Sequence, residues 1–414
     1  MRATSSRQRC GGCAEVKLRP LAVLAVLAPL AAPAGGAAEL SGYLSFEPRV
    51  FFDAPLRPTQ PDAGLSPAAV AAPEWRFDAG DGTNRFTLAP YFRVDADDDE
   101  RTHADLREAV WLRIGDTWVS RVGVGRVFWG VTESRHLVDV INQTDLVEDF
   151  DEEDKLGQPM LNLERWVGPG SLGVFVLPGF RERTFPERTA RLSGAVPVAA
   201  DAVGYESGAG SRRTDLAVRW YGALGGWDIG VSAFHGTSRE PRLLPGLDSD
   251  GEWRLAPYYD VIGQVGLDVQ YTRGAWLWKL EALGRRGHGS DFGAAVAGFE
   301  YTAFGIGGSG ADLGLLAEYL YDGRGPGAPP TLYDDDWFGG VRLALNDAAG
   351  TAILGGVIVD GNTVLGILEG ERRLTGTWKL EAEVRWFRGS DADDPLLAGF
   401  RRDSFATLRL AWYF

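Results

Sequence analysis

The sequence predicts an all-β fold, a transmembrane antiparallel β-barrel of about 18 strands, with about 16 as the smallest count that the pattern allows. Three observations indicate this fold: many short segments in which apolar and polar residues alternate, a final segment that alternates in the same way, and a composition rich in glycine and aromatic residues. The 414 residues include 55 Gly, 14 Trp, 12 Tyr and 20 Phe. No apolar run of helix length follows residue 38, so the composition favours membrane strands over membrane helices.

Alternation is clearest in three segments, because successive side chains of a strand point to opposite faces. Residues 85–95, 264–272 and 378–386 each place apolar side chains on one face and mostly charged or polar ones on the other. We expect the apolar face to contact lipid and the polar face to line the lumen. Residues 351–368 are apolar on both faces, and the turn residues around Gly361 predict a hairpin there, whose lumen wall is covered or lines an apolar path.

The end of the chain, residues 404–414, reads as a strand that finishes on aromatic side chains, which suit a membrane interface. A C-terminal strand of this form is typical of Gram-negative outer-membrane β-barrels. We expect its apolar face to act as the barrel-assembly signal, formed by Leu408, Leu410, Trp412 and Phe414.

Residues 1–38 have the layout of a secretory signal peptide. Basic residues precede an apolar run, and small residues follow it up to Ala38, where we place cleavage. Cys10 and Cys13 lie before the apolar run and leave with the signal, so we expect a mature chain without cysteine. No linker or change of composition divides residues 39–414, which we interpret as one barrel domain.

The predicted turns set the orientation of the chain. When the first strand runs upward, eight tight turns fall on one side together with both termini, and we expect this side to be periplasmic. Glu108 lies on the lipid-facing parity of its segment, so we expect a β-bulge or a position near the rim there. The eight turns lie around Gly82, Gly115, Gly168, Gly225, Gly274, Gly305, Asp347 and Gly376.

The chain is acidic, with a formal net charge of −15. Such a charge disfavours nucleic acid as a partner and favours cations. Acid clusters at residues 97–100, 334–336 and 391–394 all fall in predicted outer loops, where together they would raise the cation concentration at the mouth of the barrel.

The third predicted outer connection, from Trp129 to Gln158, carries the densest run of acids. An inward fold of this connection would set these acids against inward arginines and create a transverse field that selects solutes by charge. The alternative is a solvated outer loop whose carboxylates meet the divalent cations that bridge lipopolysaccharide. The spacing is not that of an EF-hand, so we expect no metal site. The constriction candidates in this run are Glu148, Asp149, Asp151 and Glu152.

Charged side chains on the polar faces of the predicted strands are candidates for the lumen wall. The simpler alternative for each of them is a wet wall whose charges are neutralised between neighbouring strands. The candidates are Arg85, Arg93, Arg113, Arg219, Lys279, Glu281, Lys379, Glu381, Glu383 and Arg385.

The sequence gives little support for catalysis. Its histidines are His103, His136, His235 and His288, and all fall in predicted outer connections or at strand ends. No predicted strand presents the evenly spaced Ser, His and Asn or Asp residues that a hydrolase site needs, so we expect no enzymatic activity and no cofactor.

Taken together, the signal, the alternating strands and the C-terminal L-R-L-A-W-Y-F resemble the bacterial outer-membrane porin superfamily over the whole mature chain. More narrowly, G-R-V-F-W-G-V-T-E-S followed by L-V-D-V-I-N-Q-T-D-L resembles a group of proteobacterial porin-like barrels, related in style to alginate-export and substrate-specific porins; Gln143 stands where that group has proline. Turn capping is the alternative explanation for the polar residues of this stretch. The resemblance implies pore-loop roles for Trp129, Glu133, Asp139, Asn142 and Asp145.

The sequence therefore predicts a channel of the Gram-negative outer membrane that passes small hydrophilic solutes and favours cations. Two alternatives stay open: a channel dedicated to an oligosaccharide, acidic polymer or amphipathic compound, and a non-conducting structural barrel. The expected partners are outer-membrane lipid and lipopolysaccharide, the barrel-assembly machinery and small solutes. Nucleic acid is not expected, and a homotrimer is one assembly that the sequence leaves open.

Overall fold

The structure is a computed structural model that describes residues 38–62, 64–79, 82–247, 251–361, 363–389 and 399–414. The predicted signal peptide and the acid cluster at 391–394 lie outside the described residues and stay predictions. Almost all regular structure in the described part of the chain is β-strand, as the alternating patterns predict. Over the same residues, no helix is long and apolar enough to cross a membrane.

Eighteen antiparallel strands form one closed sheet, so the predicted barrel and its strand count are confirmed. The sheet closes where β1 (Ala38–Phe51) pairs with β21 (Phe405–Tyr413). The other barrel strands are β2 (Leu65–Ala79), β3 (Asn84–Asp95), β4 (Ala104–Ile114), β5 (Trp118–Gly125), β6 (Gln158–Val167), β7 (Gly170–Pro178), β9 (Thr214–Leu224), β10 (Trp227–Thr237), β13 (Val261–Arg273), β14 (Trp276–Arg286), β15 (Phe292–Ala303), β16 (Asp312–Asp322), β17 (Asp335–Ala344), β18 (Ala352–Asp360), β19 (Thr363–Arg373) and β20 (Trp378–Arg388).

The two rims of the barrel differ. The eight predicted turns and the ends of β1 and β21 lie at one rim, which we call the turn rim. The opposite loop rim carries mostly longer connections, of which the largest are residues 126–157, 179–213 and 238–260. These connections hold a separate small sheet of β8 (Gly204–Tyr205), β11 (Arg242–Leu247) and β12 (Trp253–Tyr259). That the turn rim faces the periplasm stays a prediction.

The strand faces follow the predicted alternation. Leu408, Leu410 and Trp412 are exposed on the outer face of β21, and the backbone N–H of Phe414 donates to the carbonyl of Gly42 in β1 at 3.1 Å. Tryptophans at the turn-rim ends of strands are likewise exposed, as in an interfacial aromatic belt. This belt includes Trp118, Trp227, Trp276, Trp378 and Trp412.

β4 contains the β-bulge that the charge of Glu108 predicts. The register between β3 and β4 shifts between Ala89 and Pro90, because Arg107 is an extra residue between the partners Leu106 and Glu108. Such an insertion reverses the faces of all the side chains beyond it.

This reversal makes one prediction wrong. Arg113 follows the bulge and shares a face with Trp111, whose ring stacks on the exposed Phe86 with a centroid distance of 6.2 Å. Arg113 therefore lies on the outer face near the turn rim, and it does not line the lumen. The prediction assumed that alternation continues without interruption along this segment, and it therefore assigned Arg113 to the wrong face.

The hairpin predicted within residues 351–368 is confirmed, with β18 and β19 joined through Gly361. Towards the loop rim its lumen wall is covered, which is one of the two predicted explanations for its apolar inner face, whereas its turn-rim end at Ala352 and Leu354 lines a cavity of the lumen. Leu354 and Ile358 pack on a buried cluster that includes Leu137, and Leu365 joins Phe387 in a second cluster at the loop rim.

Candidate functional site: a loop across the barrel lumen

Residues 126–157, which connect β5 to β6, fold into the barrel; we call them the inner loop. Val138, Ile141 and Asp145 are all fully buried. The inner loop contacts strands on opposite sides of the lumen, so it lies across the interior and not on the outer surface. The sequence left open whether this loop folds into the barrel or lies on its outer surface, and the contacts described below establish that it folds inward.

The first attachment point is Glu281, a fully buried carboxylate in β14. One of its oxygens accepts the backbone N–H groups of Val131 at 2.7 Å and Thr132 at 3.0 Å, and also the Thr132 hydroxyl at 2.7 Å. The other oxygen accepts the N–H of Val138 at 3.1 Å. This wall residue was predicted from alternation, but its role is to satisfy the backbone of the loop.

Glu318 of β16 is the second attachment point, and sequence reasoning missed it. Its carboxylate accepts the N–H groups of Glu133 and Ser134, both at 2.8 Å, and the Ser134 hydroxyl at 2.6 Å. The side chain of Glu133 then binds Arg342 of β17 at 2.6 Å and Lys279 of β14 at 3.4 Å.

Arginines hold the loop on the opposite wall. Arg107 of the bulge donates to Asp145 at 2.6 Å, and Arg93 of β3 lies 2.7 Å from Glu148. Arg101 of the β3–β4 connection donates to the carbonyls of Val147 at 2.8 Å and Glu148 at 3.2 Å. Burial alone would raise the pKa of Glu148, but the charges of Arg93 and Arg101 lower it to about 2.

The remaining predicted loop residues shape and anchor the loop. The Asn142 side chain closes its neck, because it accepts from the N–H of Val127 at 2.9 Å and donates to the carbonyls of Gly125 and Leu156. Trp129 is buried against Phe175, with ring centroids 5.5 Å apart.

Three further acids of the loop meet cations. Asp139 lies 3.4 Å from Lys155, Asp151 accepts from Arg385 of β20 at 2.9 Å, and Glu152 accepts from Arg183 at 2.9 Å. Together with Asp145 and Glu148, they show that most acids of this connection neutralise arginine or lysine.

The predicted wall residues divide into two groups. Arg85 and Lys379 pair with acids of adjacent strands, at 2.8 Å from Asp78 and 2.7 Å from Glu371, and Arg219 of β9 reaches across β10 to Asp268 of β13 at 2.7 Å. These three fit the neutralised-wall alternative. The residues that bind the inner loop through hydrogen bonds are Arg93, Lys279, Glu281 and Arg385, and the Arg219 guanidinium also lies 5.0 Å from the centroid of the Trp129 ring.

Glu381 and Glu383 belong to the wall beside the loop. Glu381 contacts Lys379 at 2.6 Å and Arg409 at 3.3 Å, and Glu383 contacts Arg385 at 2.5 Å. Both line the cavity that lies beneath the inner loop.

Two cavities lie on either side of the inner loop. The inner cavity has a volume of about 740 Å³ and extends from the loop towards the turn-rim ends of β1, β2 and β18. The outer cavity has a volume of about 350 Å³ and lies among the loop-rim connections. Four residues line both cavities and so mark the boundary where the two adjoin, which we call the passage: Arg49, Arg101, Glu148 and Asp149.

The passage contains one unpaired cation and one unpaired anion among the described residues. Arg101 and Glu148 are ion-paired, with Asp95 and Arg93 respectively. Arg49 of β1 donates from Nε to the Thr407 hydroxyl at 3.3 Å and makes no ion pair with a described residue. Asp149 accepts the N–H groups of Phe150 and Asp151 and likewise makes no described ion pair.

The charges around the inner cavity do not balance. Eleven acidic and eight arginine side chains line it among the described residues. Acidic side chains are thus in excess over arginines around this cavity. Arg49 was not predicted as a wall residue, although its alternation with Glu47 along β1 was a usable signal.

His103, Asp145 and Glu148 lie close enough together to resemble a metal site. Both carboxylates, however, are already bound by Arg107 and Arg93. The positive charge that a metal ion would supply is thus provided by guanidinium groups, and the cluster belongs to the network that holds the loop.

Known structures with the same fold are outer-membrane proteins. The chain is similar to OccK11 (OpdR) of Pseudomonas aeruginosa, with a TM-score of 0.52 and 13% identity over 92% of this chain and 96% of that one. It is also similar to a BenF-like porin of Pseudomonas fluorescens Pf-5, with a TM-score of 0.52 and 11% identity over 92% and 98%. The Escherichia coli outer-membrane protein Wzi, described as a carbohydrate-binding barrel in capsule assembly, has a TM-score of 0.50 and 10% identity over 89% and 83%.

These likenesses define the class: the protein is an 18-stranded antiparallel β-barrel with the fold of the outer-membrane porins. No protein-family model matches the sequence, and no curated protein matches it. The porin-like fold expected from the sequence is thus shown by structure alone.

Proposed function

We propose that this protein is an outer-membrane channel through which small hydrophilic solutes diffuse passively, with cations favoured. The observation that carries the proposal is the pair of cavities that share Arg49, Arg101, Glu148 and Asp149. A solute that passes from one cavity to the other must pass the inner loop that lies between them. The excess of acids around the inner cavity supports the preference for cations.

The cellular setting belongs to the same proposal. The porin fold and the signal-like residues 1–38 support export and residence in the outer membrane, with lipopolysaccharide and the barrel-assembly machinery as partners. A homotrimer is one assembly to be tested by sizing in mild detergent. We propose no catalysis, because the buried carboxylates of the lumen serve to hold the inner loop or to balance arginines.

A second candidate is a channel for a particular amphipathic solute. The specific observation in its favour is the outer cavity, whose lining contains Phe51, Phe150, Phe185, Leu332 and Phe400. A path for ions alone has no need of such a wall, since apolar side chains offer ions and water no hydrogen bonds.

Recording from the purified protein in planar bilayers with a KCl gradient tests the proposal. A steady ohmic current with a cation-selective reversal potential supports the first function, and a current blocked by an amphipathic solute supports the second. Absence of current would contradict both and favour the non-conducting barrel.

One substitution tests the role of the passage. Of the acids Glu148, Asp149, Asp151 and Glu152, only Asp149 makes no described ion pair, so Asp149→Asn removes a charge without releasing an arginine. We expect the reversal potential of this variant to shift towards lower cation preference. The control is Asp116→Asn, in the turn between β4 and β5 and outside both cavities, and an equal shift in both variants would contradict the assignment.

A further inference from the structure

The outer cavity is a chamber with mostly apolar walls, closed on one side by the inner loop. Apolar side chains from several separate segments meet in it, including Phe51 of β1, Phe150 of the inner loop, Phe185 of the β7–β9 connection and Leu243 of β11. Packed protein interiors rarely leave a space of this size unfilled. Charged side chains also line the chamber, but apolar surface makes up most of its wall, so an apolar group gains free energy by leaving water for that part of the wall.

A buried cation lies at the floor of this chamber. Arg49 is only 6% exposed, and its guanidinium lies 4.3 Å from the centroid of the Phe405 ring. Only its Nε has a described hydrogen-bond partner. A buried charge without an ion-pair partner is costly unless an anion reaches it, and the two terminal nitrogens of a guanidinium match the geometry of a carboxylate.

An anion lies at the same floor. Asp149 uses one carboxylate oxygen to accept the N–H groups of Phe150 at 2.6 Å and Asp151 at 3.4 Å, whereas its second oxygen has no described partner. Arg49 interacts electrostatically with Asp149 and also with Glu383, without a direct ion pair to either. Arg49 and Asp149 both line both cavities.

We propose that this floor and chamber bind apolar zwitterions, such as α-amino acids with an apolar side chain. The ligand carboxylate binds the terminal nitrogens of Arg49, its ammonium group binds the free oxygen of Asp149, and its side chain occupies the outer cavity. The proposal deepens the proposed function, because it gives the solute class that enters the channel through this chamber.

The charges favour a zwitterion over a singly charged amphiphile. An anion at Arg49 would approach the unpaired Asp149 and the acid-rich inner cavity, which repel it. A cation at Asp149 would leave Arg49 buried without compensation and would be repelled by it. A zwitterion is neutral overall and meets an opposite charge at both ends.

The test compares four probes by isothermal titration calorimetry on the detergent-solubilised full-length barrel. L-Phenylalanine carries a carboxylate, an ammonium group and an apolar side chain. Each of the other probes lacks one of these features: 3-phenylpropionate lacks the ammonium group, 2-phenylethylamine lacks the carboxylate, and glycine lacks the apolar side chain. We expect L-phenylalanine to bind about tenfold or more tightly than each of the other three, since each feature contributes at least one charge-assisted or apolar contact. Equal or tighter binding of either singly charged probe would overturn the proposal.

Variants then assign each end of the ligand. Arg49→Gln should remove the advantage of L-phenylalanine over 2-phenylethylamine, and Asp149→Asn should remove its advantage over 3-phenylpropionate. The controls are Arg113→Gln, on the outer face of the barrel and outside both cavities, and Asp97→Asn, which lines the outer cavity but not the passage. Unchanged binding in the first pair, or equal losses in the controls, would contradict the assignment.

Two further measurements keep the outcomes distinct. The heat-modified gel shift of each variant reports a folded barrel, and the comparison of the four probes on the unsubstituted protein needs no variant at all. Calorimetry does not depend on conductance, so binding without current would refute the channel and keep the site. Current without selective binding would refute the site and keep the channel.

Discussion

Replacing Glu281 with alanine should release part of the inner loop from the barrel wall. Its fully buried carboxylate accepts three backbone N–H groups and one hydroxyl from the loop. A buried N–H that loses its partner costs about 1–3 kcal/mol, so the three donors together cost about 3–9 kcal/mol. The hydrogen bonds between barrel strands do not use this side chain, so the cost falls on the loop and not on the barrel.

Amide hydrogen exchange measures this release directly, because local opening exposes the N–H groups that the carboxylate protects. In Glu281→Ala, the amides of Val131, Thr132 and Val138 should exchange at least about a hundredfold faster, which corresponds to the lower end of the estimated cost. Single-channel current should become noisier as the loop moves in the lumen.

Glu381→Ala is the matched control, since Glu381 is a wall carboxylate that contacts only Lys379 and Arg409 among the described residues. The three amides should stay protected in that variant. Full protection of the same amides in Glu281→Ala would refute the conclusion that this carboxylate holds the loop.

The remaining predictions concern pH, packing and the neck of the loop. Partial desolvation inside the barrel, together with the charges of Glu148 and Asp149, raises the pKa of Asp154 to about 6. Asp154 lines the inner cavity, so cation preference should fall as pH drops through that value, and reversal potentials of Asp154→Asn should show no such step. Gly366→Ala should destabilise the barrel by about 1–3 kcal/mol, because the added Cβ would lie within 2.2 Å of the Trp386 ring. An unchanged temperature of unfolding, measured by the heat-induced change in gel migration, would contradict this. The control is Gly339→Ala, where an added Cβ meets nothing within 4 Å. Asn142→Ala should raise conductance noise by opening the neck at Val127 and Leu156, and a quiet channel would show that the neck is held by other contacts.

The barrel itself could be predicted because its rule is local. Alternation along one strand and a tight turn after it need only neighbouring residues, so the count of 18 strands, the turn rim and the hairpin at Gly361 all follow from short windows of sequence. Even the bulge at Arg107 left a local trace, the misplaced charge of Glu108. Its consequence for Arg113 required counting the extra residue through to the end of the strand.

The site depended on contacts between distant parts of the chain. Glu318 stands between Leu316 and Leu320 in an ordinary alternating strand, and nothing near it in sequence shows that it binds Glu133 and Ser134. The run of acids was visible in the sequence. The sequence did not show that most acids of this connection pair with arginine or lysine, or that Asp149 makes no described ion pair. Arg49 likewise becomes informative only when both cavities are seen to meet at it.

The most direct test of the central claim, that a continuous water path passes the inner loop at Asp149, is cysteine accessibility during single-channel recording. The sequence has only Cys10 and Cys13, both within the predicted signal, so Asp149→Cys gives one reactive thiol in the mature chain. A positively charged thiol reagent, added to the solution on either side of the bilayer, should reduce the current and its cation preference in this variant. The same reagent should leave the current of the unsubstituted protein unchanged. A current that persists unaltered with the reagent on both sides would show that ions pass elsewhere and would contradict the account.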